Sequence, residues 1–266
     1  MSLSLHISPC PNDTFIFHAL FSGLIDHSLG QFTFHFEDIS QLNQRALEGE
    51  ADIIKVSAAM IPALYDKYYL LPCGGAMGYG NGPLLVSRHK AYAEEVADLR
   101  IAVPGLSTTA TLLLQRLFPK PKELREYLFS DIAMVVMDGE MDGGVLIHEG
   151  RFTYADTGLS LIADLGERWE QTTGLPIPLG VIMVSRSLPK EVAKEISRAI
   201  CESIRYAMQN PKDSAEFVRS HAQELEQSVM ERHISYFVND FSMDMSKKGI
   251  EAIRMLVDCE DISPLR

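Results

Sequence analysis

Short apolar runs alternate with helix-like runs in the N-terminal part of the chain, and this alternation constrains the fold more than any other feature. The run Gln31–Ile39 places Phe32, Phe34 and Phe36 on one face and polar residues on the other, which is the period of a β-strand. Strands separated by helices are typical of α/β proteins built on a mainly parallel, doubly wound sheet. The predicted strands are Leu3–Ile7, Gln31–Ile39 and Asp52–Val56, and each is followed by a predicted helix: Thr14–Leu24, Gln41–Leu47 and Ala58–Tyr65.

The middle of the chain predicts a second α/β lobe. The polar stretch Ser87–Asp98 suits a crossing into this lobe, and the strand Val181–Ser185 suits the return. We therefore expect lobe I to contain residues 1–86 and 186–266, and lobe II to contain residues 87–185. Lobe II has predicted strands at Arg100–Val103, Ile132–Met137, Gly144–Ile147 and Leu159–Asp164 and a predicted helix at Thr111–Phe118. The C-terminal segment has predicted helices after Pro189 and at Asp213–His221, Ser228–Asp240 and Ser246–Val257, of which the first carries an apolar stripe at Val192, Ile196, Ile200, Ile204 and Met208.

The charge of the chain argues against several kinds of partner. The formal net charge is −12 and the sequence pI is about 5.1, without a block of Lys or Arg. These values do not fit a protein that binds nucleic acid or an anionic membrane surface. No apolar run is long enough to span a bilayer, and the first residues lack the pattern of a signal peptide, so we expect a cytoplasmic protein.

The cysteines and the common catalytic motifs point to a reaction without a metal or a cofactor. Cys10, Cys73, Cys201 and Cys259 are widely separated, without a CxxC pair, and we expect them to be reduced. Cys10 has no adjacent base in the sequence, so we interpret it as a packing residue rather than a nucleophile. The sequence also lacks HExxH, Walker A and Ser-His-Asp patterns.

The stretch Ser8–Asp13 is the first candidate binding loop. It follows an apolar strand, contains Pro9 and Pro11, and precedes a helix for which Asp13 is the predicted N-cap. Such a strand-to-helix loop is where open α/β sheets bind ligands, and the N–H groups of a helix start favour anions. The alternative is a rigid turn without a ligand.

Three further candidate loops each follow a predicted strand: Lys55–Ser57, Ser107–Ala110 and His148–Glu149. The hydroxyls of Ser107–Ala110 suit a carboxylate or phosphate, although ordinary helix capping is the alternative. His148 is a candidate general base, since a neutral imidazole takes a proton near pH 7; a hydrogen-bonded structural role is its alternative. His221 and His233 lie in the helical C-terminal part, where we expect structural or exposed roles. If the chain forms two lobes, we expect the four loops to face each other across a cleft.

Five motifs occur in order along the chain: Ser8-Pro9-Cys10-Pro11-Asn12-Asp13-Thr14-Phe15, Lys55-Val56-Ser57, Val103-Pro104-Gly105-Leu106-Ser107-Thr108-Thr109-Ala110, Gly144-Val145-Leu146-Ile147-His148-Glu149 and Pro176-Ile177-Pro178-Leu179-Gly180. Together they resemble the motifs of the 1,4-dihydroxy-6-naphthoate synthases, enzymes of the futalosine route to menaquinone. The resemblance covers nearly the whole chain.

The resemblance implies a fold similar to type II periplasmic binding proteins, with two α/β lobes, and lyase activity on cyclic dehypoxanthine futalosine. The products would be 1,4-dihydroxy-6-naphthoate and dihydroxyacetone. By the same resemblance, His148 would be the proton acceptor. The residues in contact with the carboxylated substrate would be Lys55, Val56, Ser57, Thr109 and Ala110, and Thr108 and Asn12 are further candidates for polar contacts.

Two other functions stay open at this point. One is the related chorismate dehydratase of the same pathway, and the other is a non-enzymatic solute-binding protein of the same fold. The Ser8–Asp13 loop and His148 favour the synthase. The apolar, helical C-terminal region could also support a homodimer.

Overall fold

The structure is a computed structural model that describes residues 2–148, 150–222 and 226–266. Its strands are β1 (Ser2–Ile7), β2 (Gln31–Phe36), β3 (Ile53–Ser57), β4 (Tyr68–Leu70), β5 (Ala76–Gly78), β6 (Leu84–Ser87), β7 (Arg100–Val103), β8 (Glu123–Glu126), β9 (Gly143–Leu146), β10 (Ser160–Asp164) and β11 (Ile177–Ser185). Its α-helices are α1 (Pro11–Phe21), α2 (Ile39–Glu48), α3 (Ile61–Leu64), α4 (Thr109–Leu117), α5 (Ile132–Met137), α6 (Gly150–Thr153), α7 (Leu165–Thr173), α8 (Lys190–Gln209), α9 (Ala215–His221), α10 (Gln227–Phe237), α11 (Asp240–Met243) and α12 (Ser246–Val257).

The chain divides into two α/β units. Unit 1 contains the chain up to Gly78 together with Pro178–Arg266, and unit 2 contains Tyr79–Ile177. Both crossings therefore lie earlier than the predicted boundaries after residues 86 and 185. The reason is strand pairing: β6 pairs with β9 and β10 of unit 2, whereas β11 pairs with β3 and β4 of unit 1.

Each unit is built on one mixed sheet. In unit 1 the strand order is β2-β1-β3-β11-β4, and β5 pairs with β11. Here β1 is parallel to β2 and β3, whereas β11 is antiparallel to β3 and β4. In unit 2 the order is β10-β6-β9-β7-β8, with β7 parallel to β8 and β9 and β6 antiparallel to β9 and β10. The predicted α/β architecture is confirmed, but the expectation of mainly parallel sheets is wrong. Neither β11 nor β6 joins its sheet through a βαβ crossover, which would have made it parallel to its neighbour.

The core of unit 1 lies between its sheet and helices α1 and α8. Helix α1 is buried from Pro11 to Leu20 because α8, α9 and α10 pack against it, which explains why it has no solvent-exposed polar face. The predicted stripe of α8 is buried at Ile196, Ile200 and Ile204, although Met208 at its end is exposed. On the same helix, the Ser203 hydroxyl donates to the Ile16 carbonyl over 2.7 Å.

One predicted strand of unit 2 is a helix. Residues 132–137 form α5, in which Ile132, Val135 and Val136 are buried while Met134 and Met137 are exposed. This spacing of i, i+3 and i+4 is that of one helix face. A short apolar run does not distinguish a buried strand from a buried helix, which is why the prediction was wrong.

Candidate active site

The loop Ser8–Asp13 joins β1 to α1, and the cap of α1 differs from the predicted one. Cys10 is the N-cap, with extended backbone, and its carbonyl accepts from the N–H groups of Asp13 (3.1 Å) and Thr14 (3.0 Å). Pro11 occupies the first helical position, where a missing N–H has no cost. Asp13 lies in the first turn, so its predicted role as N-cap is wrong. Its carboxylate is left for other partners.

Three donors surround the carboxylate of Asp13. The Ser8 hydroxyl donates to Oδ2 over 2.6 Å, and Asn12 Nδ2 donates to Oδ1 over 2.8 Å. Lys55 Nζ donates to the same Oδ1 over 2.5 Å and forms an ion pair with it. Asp13 is only 1% exposed and Lys55 only 4%. Burial of two charges costs several kcal/mol per ion, and the pair is tolerated only because its oxygen atoms are hydrogen-bonded so fully.

Lys55 lies in β3, whose residues are all buried. Its side chain passes Gly180 of the neighbouring strand β11, where a Cβ atom would lie 3.0 Å from Lys55 Cε. Gly180 therefore leaves room for the aliphatic part of the lysine. An ammonium group has three N–H donors, of which the ion pair with Asp13 uses one. The others can serve a bound anion.

The end of β3 is held by a side chain of α2. Asn43 is fully buried; its Nδ2 donates to the Ser57 hydroxyl over 3.0 Å, and its Oδ1 accepts from the Ser57 N–H over 2.9 Å. This pair of hydrogen bonds orients Ser57. Val56, between Lys55 and Ser57, is fully buried in the sheet, so a contact from Val56 to substrate would involve its main chain.

His233 contacts the Ser8–Asp13 loop, a contact that the sequence pattern did not indicate. It lies on α10, is 1% exposed, and has Nε2 2.9 Å from Asn12 Oδ1. Since Asn12 directs its Nδ2 to Asp13, its Oδ1 accepts and His233 donates from Nε2. The expected structural role of His233 is thus specific: it fixes the amide of Asn12. No local pattern could have shown this, because 221 residues separate the two.

In unit 2, the loop after β7 leads into α4. Thr108 is the N-cap: its hydroxyl donates to the Gly105 carbonyl over 2.7 Å and accepts from the Thr111 N–H over 3.3 Å. The capping interpretation therefore holds for the Thr108 side chain. Thr109 and Ala110 are the first residues of α4 and are buried. The first N–H groups of a helix have no partner within that helix, and they favour an anion.

His148 follows β9 and has an unusual backbone. Its φ is +53°, in the left-handed region, which costs a non-glycine residue on the order of 1–3 kcal/mol. Its half-buried imidazole lies edge-to-face against Phe129, with ring centroids 4.8 Å apart and planes at 67°. Strained conformations of this kind are concentrated at functional sites. The neighbouring candidate Glu149 lies outside the described residues.

Within each unit the structure groups the predicted site residues at one sheet edge. In unit 1, the loop carrying Asn12 follows β1, and Lys55–Ser57 ends the parallel neighbour β3. In unit 2, Thr108–Ala110 follow β7, and His148 follows the parallel neighbour β9. Because adjacent parallel strands end at the same edge of a sheet, the candidate residues of each unit lie close to one another at that edge.

Two features, a membrane-spanning helix and a cluster of metal ligands, are not found in the part of the chain that the structure describes. No helix there combines the length and apolar character that crossing a membrane requires. Among the same residues, no three His, Cys, Asp or Glu side chains are arranged to hold a metal ion.

Comparison with known proteins gives consistent matches along almost the whole chain. The model of a family described as menaquinone biosynthesis matches residues 3–260. A protein of Streptomyces coelicolor named 1,4-dihydroxy-6-naphthoate synthase is 43% identical, over 96% of this chain and 92% of its own length. A protein of the same name from Thermus thermophilus is 41% identical over the same shares of the two chains.

Solved structures agree on the fold. A crystal structure of a protein from Archaeoglobus fulgidus superimposes with a TM-score of 0.91 at 35% identity, over 97% of this chain and 96% of that one. The alkanesulfonate-binding protein of Xanthomonas axonopodis pv. citri, bound to MOPS, superimposes with a TM-score of 0.72 at 15% identity, over 97% and 91% of the chains. At that identity the likeness concerns the fold alone, which is that of periplasmic binding proteins.

Proposed function

Because the chain belongs to the menaquinone-biosynthesis family that includes the 1,4-dihydroxy-6-naphthoate synthases, we propose that it is a carbon–carbon lyase acting on cyclic dehypoxanthine futalosine. The products of this reaction are 1,4-dihydroxy-6-naphthoate and dihydroxyacetone. The substrate carries an aromatic carboxylate, and loss of the ribose-derived carbons requires a base.

His148 is the base in this proposal. It removes a proton from the substrate and thereby starts carbon–carbon cleavage and aromatisation. The observation that carries this assignment is the left-handed backbone of His148 at the carboxyl end of β9, with the imidazole held against Phe129. A general base of this kind contributes about 10²–10⁴-fold to the rate.

Two groups can bind the carboxylate. One is Lys55, whose ammonium has donors beyond the one used by Asp13. The other is the start of α4, where Thr109 and Ala110 offer helix N–H groups and, in Thr109, a hydroxyl. Cationic and N–H donors of this kind make charge-assisted hydrogen bonds to a carboxylate. We also place the reaction in the cytoplasm, where thiols are kept reduced.

The test is an assay of purified protein with cyclic dehypoxanthine futalosine and, separately, with chorismate. We expect dihydroxynaphthoate and dihydroxyacetone in equal amounts from the first substrate, detected by chromatography with mass spectrometry, and no reaction with the second. Dehydration of chorismate, or binding of either compound without turnover, would overturn the proposal. These outcomes correspond to the dehydratase and to the binding protein.

A further inference from the structure

We propose that Asp13 is a positioning residue that holds the Lys55 ammonium in the orientation in which it receives the substrate carboxylate. This proposal rests on the function proposed above, and it concerns a residue without a role there. Its basis is the buried ion pair, in which Lys55 Nζ lies 2.5 Å from Asp13 Oδ1.

The carboxylate of Asp13 is itself held from both sides. Ser8 donates to Oδ2 over 2.6 Å, and Asn12 donates to Oδ1, which Lys55 shares. Asn12 is held in turn by His233 of α10. The oxygen that meets Lys55 is therefore fixed by the first turn of α1 and, through Asn12, by α10. A carboxylate placed in this way can set the direction of its partner.

The lysine side chain is restrained at two points. Its tip is bound by Asp13, and its Cε lies where a side chain at Gly180 would clash. A lysine loses much rotamer entropy when it binds a ligand, and a lysine that is already ordered has less to lose. The arrangement therefore favours affinity through pre-organisation.

Stability alone does not explain the pair. A buried ion pair contributes about as much as well-packed apolar residues of the same size, or less. The pair also cancels its own charge at a distance, so it does not attract anions in general. Recognition then depends on the direction of the remaining ammonium N–H groups, and that direction is what Asp13 sets.

The test is a double-mutant cycle with Asp13→Asn, Lys55→Met and the double variant, measured in steady-state kinetics with cyclic dehypoxanthine futalosine. We expect each single substitution to raise KM about 10- to 100-fold with a smaller change in kcat. The double variant should have the KM of Lys55→Met, because Asp13 acts through Lys55. Effects on KM that multiply, or an unchanged KM in either single variant, would overturn the proposal.

The division of the effect between KM and kcat separates positioning from mere structural support. If Asp13→Asn only reduced the folded fraction, the apparent kcat would fall and KM would stay unchanged, because the remaining folded molecules would bind substrate normally. Misdirection of the Lys55 ammonium weakens substrate binding in every folded molecule, so KM should rise. A lowered kcat with an unchanged KM in Asp13→Asn would contradict the role of Asp13.

Two further measurements keep the test decisive. If Asp13→Asn does not fold, Ser8→Ala removes one support of the carboxylate and keeps the ion pair, and it should raise KM in the same direction by about 3- to 10-fold. The matched control is Ser2→Ala, since Ser2 is an exposed serine of β1, the strand that leads into the Ser8–Asp13 loop. Calorimetric binding of 1,4-dihydroxy-6-naphthoate to the same variants tests the positioning without turnover. A native protein that binds this compound but makes no product would overturn the proposed function alone.

Discussion

Thr108 and Thr109 are adjacent in the sequence, but they hold different positions at the start of α4. The Thr108 hydroxyl is used in the N-cap of α4, with Gly105 and Thr111 as partners. Thr109 is the first residue of the helix itself. At the scale of single residues, a substitution at Thr109 is therefore the cleaner probe of substrate contact.

We expect Thr109→Val to raise KM for the carboxylated substrate about 2- to 10-fold, because one hydrogen bond of a hydroxyl is lost while the shape is kept. Steady-state kinetics measure this effect. The control is Thr172→Val, since Thr172 is an exposed threonine of the same unit whose hydroxyl donates within its own helix. A KM for Thr109→Val equal to that of the control would contradict the contact.

The candidate residues that the sequence pattern singled out share one property: they lie in the last part of a strand, follow a strand or begin a helix. This is why Lys55, Ser57 and His148 could be named as candidates from local order alone. Asp13 was singled out for a different role, and the contact between Asn12 and His233 was not foreseen. Such roles depend on partners that are distant in the sequence, and a local pattern of residues does not indicate them.

At the scale of elements, one strand and one helix of unit 2 were not predicted because their sequences are largely polar. Strand β8 has the sequence Glu-Leu-Arg-Glu and was not predicted, because an edge strand of this kind has only one apolar residue. Helix α7 was also missed, although Asp164 caps it by accepting from the N–H groups of Gly166 and Glu167. Its buried Trp169 was the available signal.

Helix α2 and strand β3 are joined by Asn43, and this link makes a prediction for stability. Asn43→Ala removes both hydrogen bonds to Ser57, leaving buried groups unsatisfied. We expect the free energy of unfolding to fall by about 1–3 kcal/mol, measured by chemical denaturation. Gln44→Ala, at the exposed next position, should change it little. Equal stability of Asn43→Ala and Gln44→Ala would show that the link has no stabilising effect.

At the scale of the whole molecule, the α/β class could be predicted from the alternation of elements, but strand direction could not. The same apolar run forms a parallel or an antiparallel strand, and pairing is decided by the rest of the sheet. Strand β11 is an example. Its sequence predicts a strand, but its antiparallel pairing with β3 depends on the tertiary structure. The domain boundaries were displaced for the same reason.

The stability of the whole molecule should depend on pH through His6. Burial is the main cause that lowers the pKa of His6 from 6.5 to about 4, and the second is the neighbouring His35, stacked on it with ring centroids 4.3 Å apart. Between these values the unfolded chain binds more protons than the folded one, so stability rises with pH across this window. A fall from pH 6.5 to pH 4 should cost about 3 kcal/mol from this group.

Denaturation at several pH values checks this dependence. In His6→Gln the slope of stability against pH over this window should be shallower than in the native protein. The control is His89→Gln, an exposed histidine, which should keep the native slope. Equal slopes in His6→Gln and in the control would show that His6 is not responsible.

The proposed role of His148 as the base of a carbon–carbon lyase is tested by the turnover of His148→Asn. We expect kcat with cyclic dehypoxanthine futalosine to fall about 10²–10⁴-fold, while the dissociation constant of the substrate, measured separately by calorimetry, stays nearly unchanged. The exposed His89→Asn should retain native turnover. A His148→Asn variant that forms dihydroxynaphthoate at a near-native rate would contradict the account.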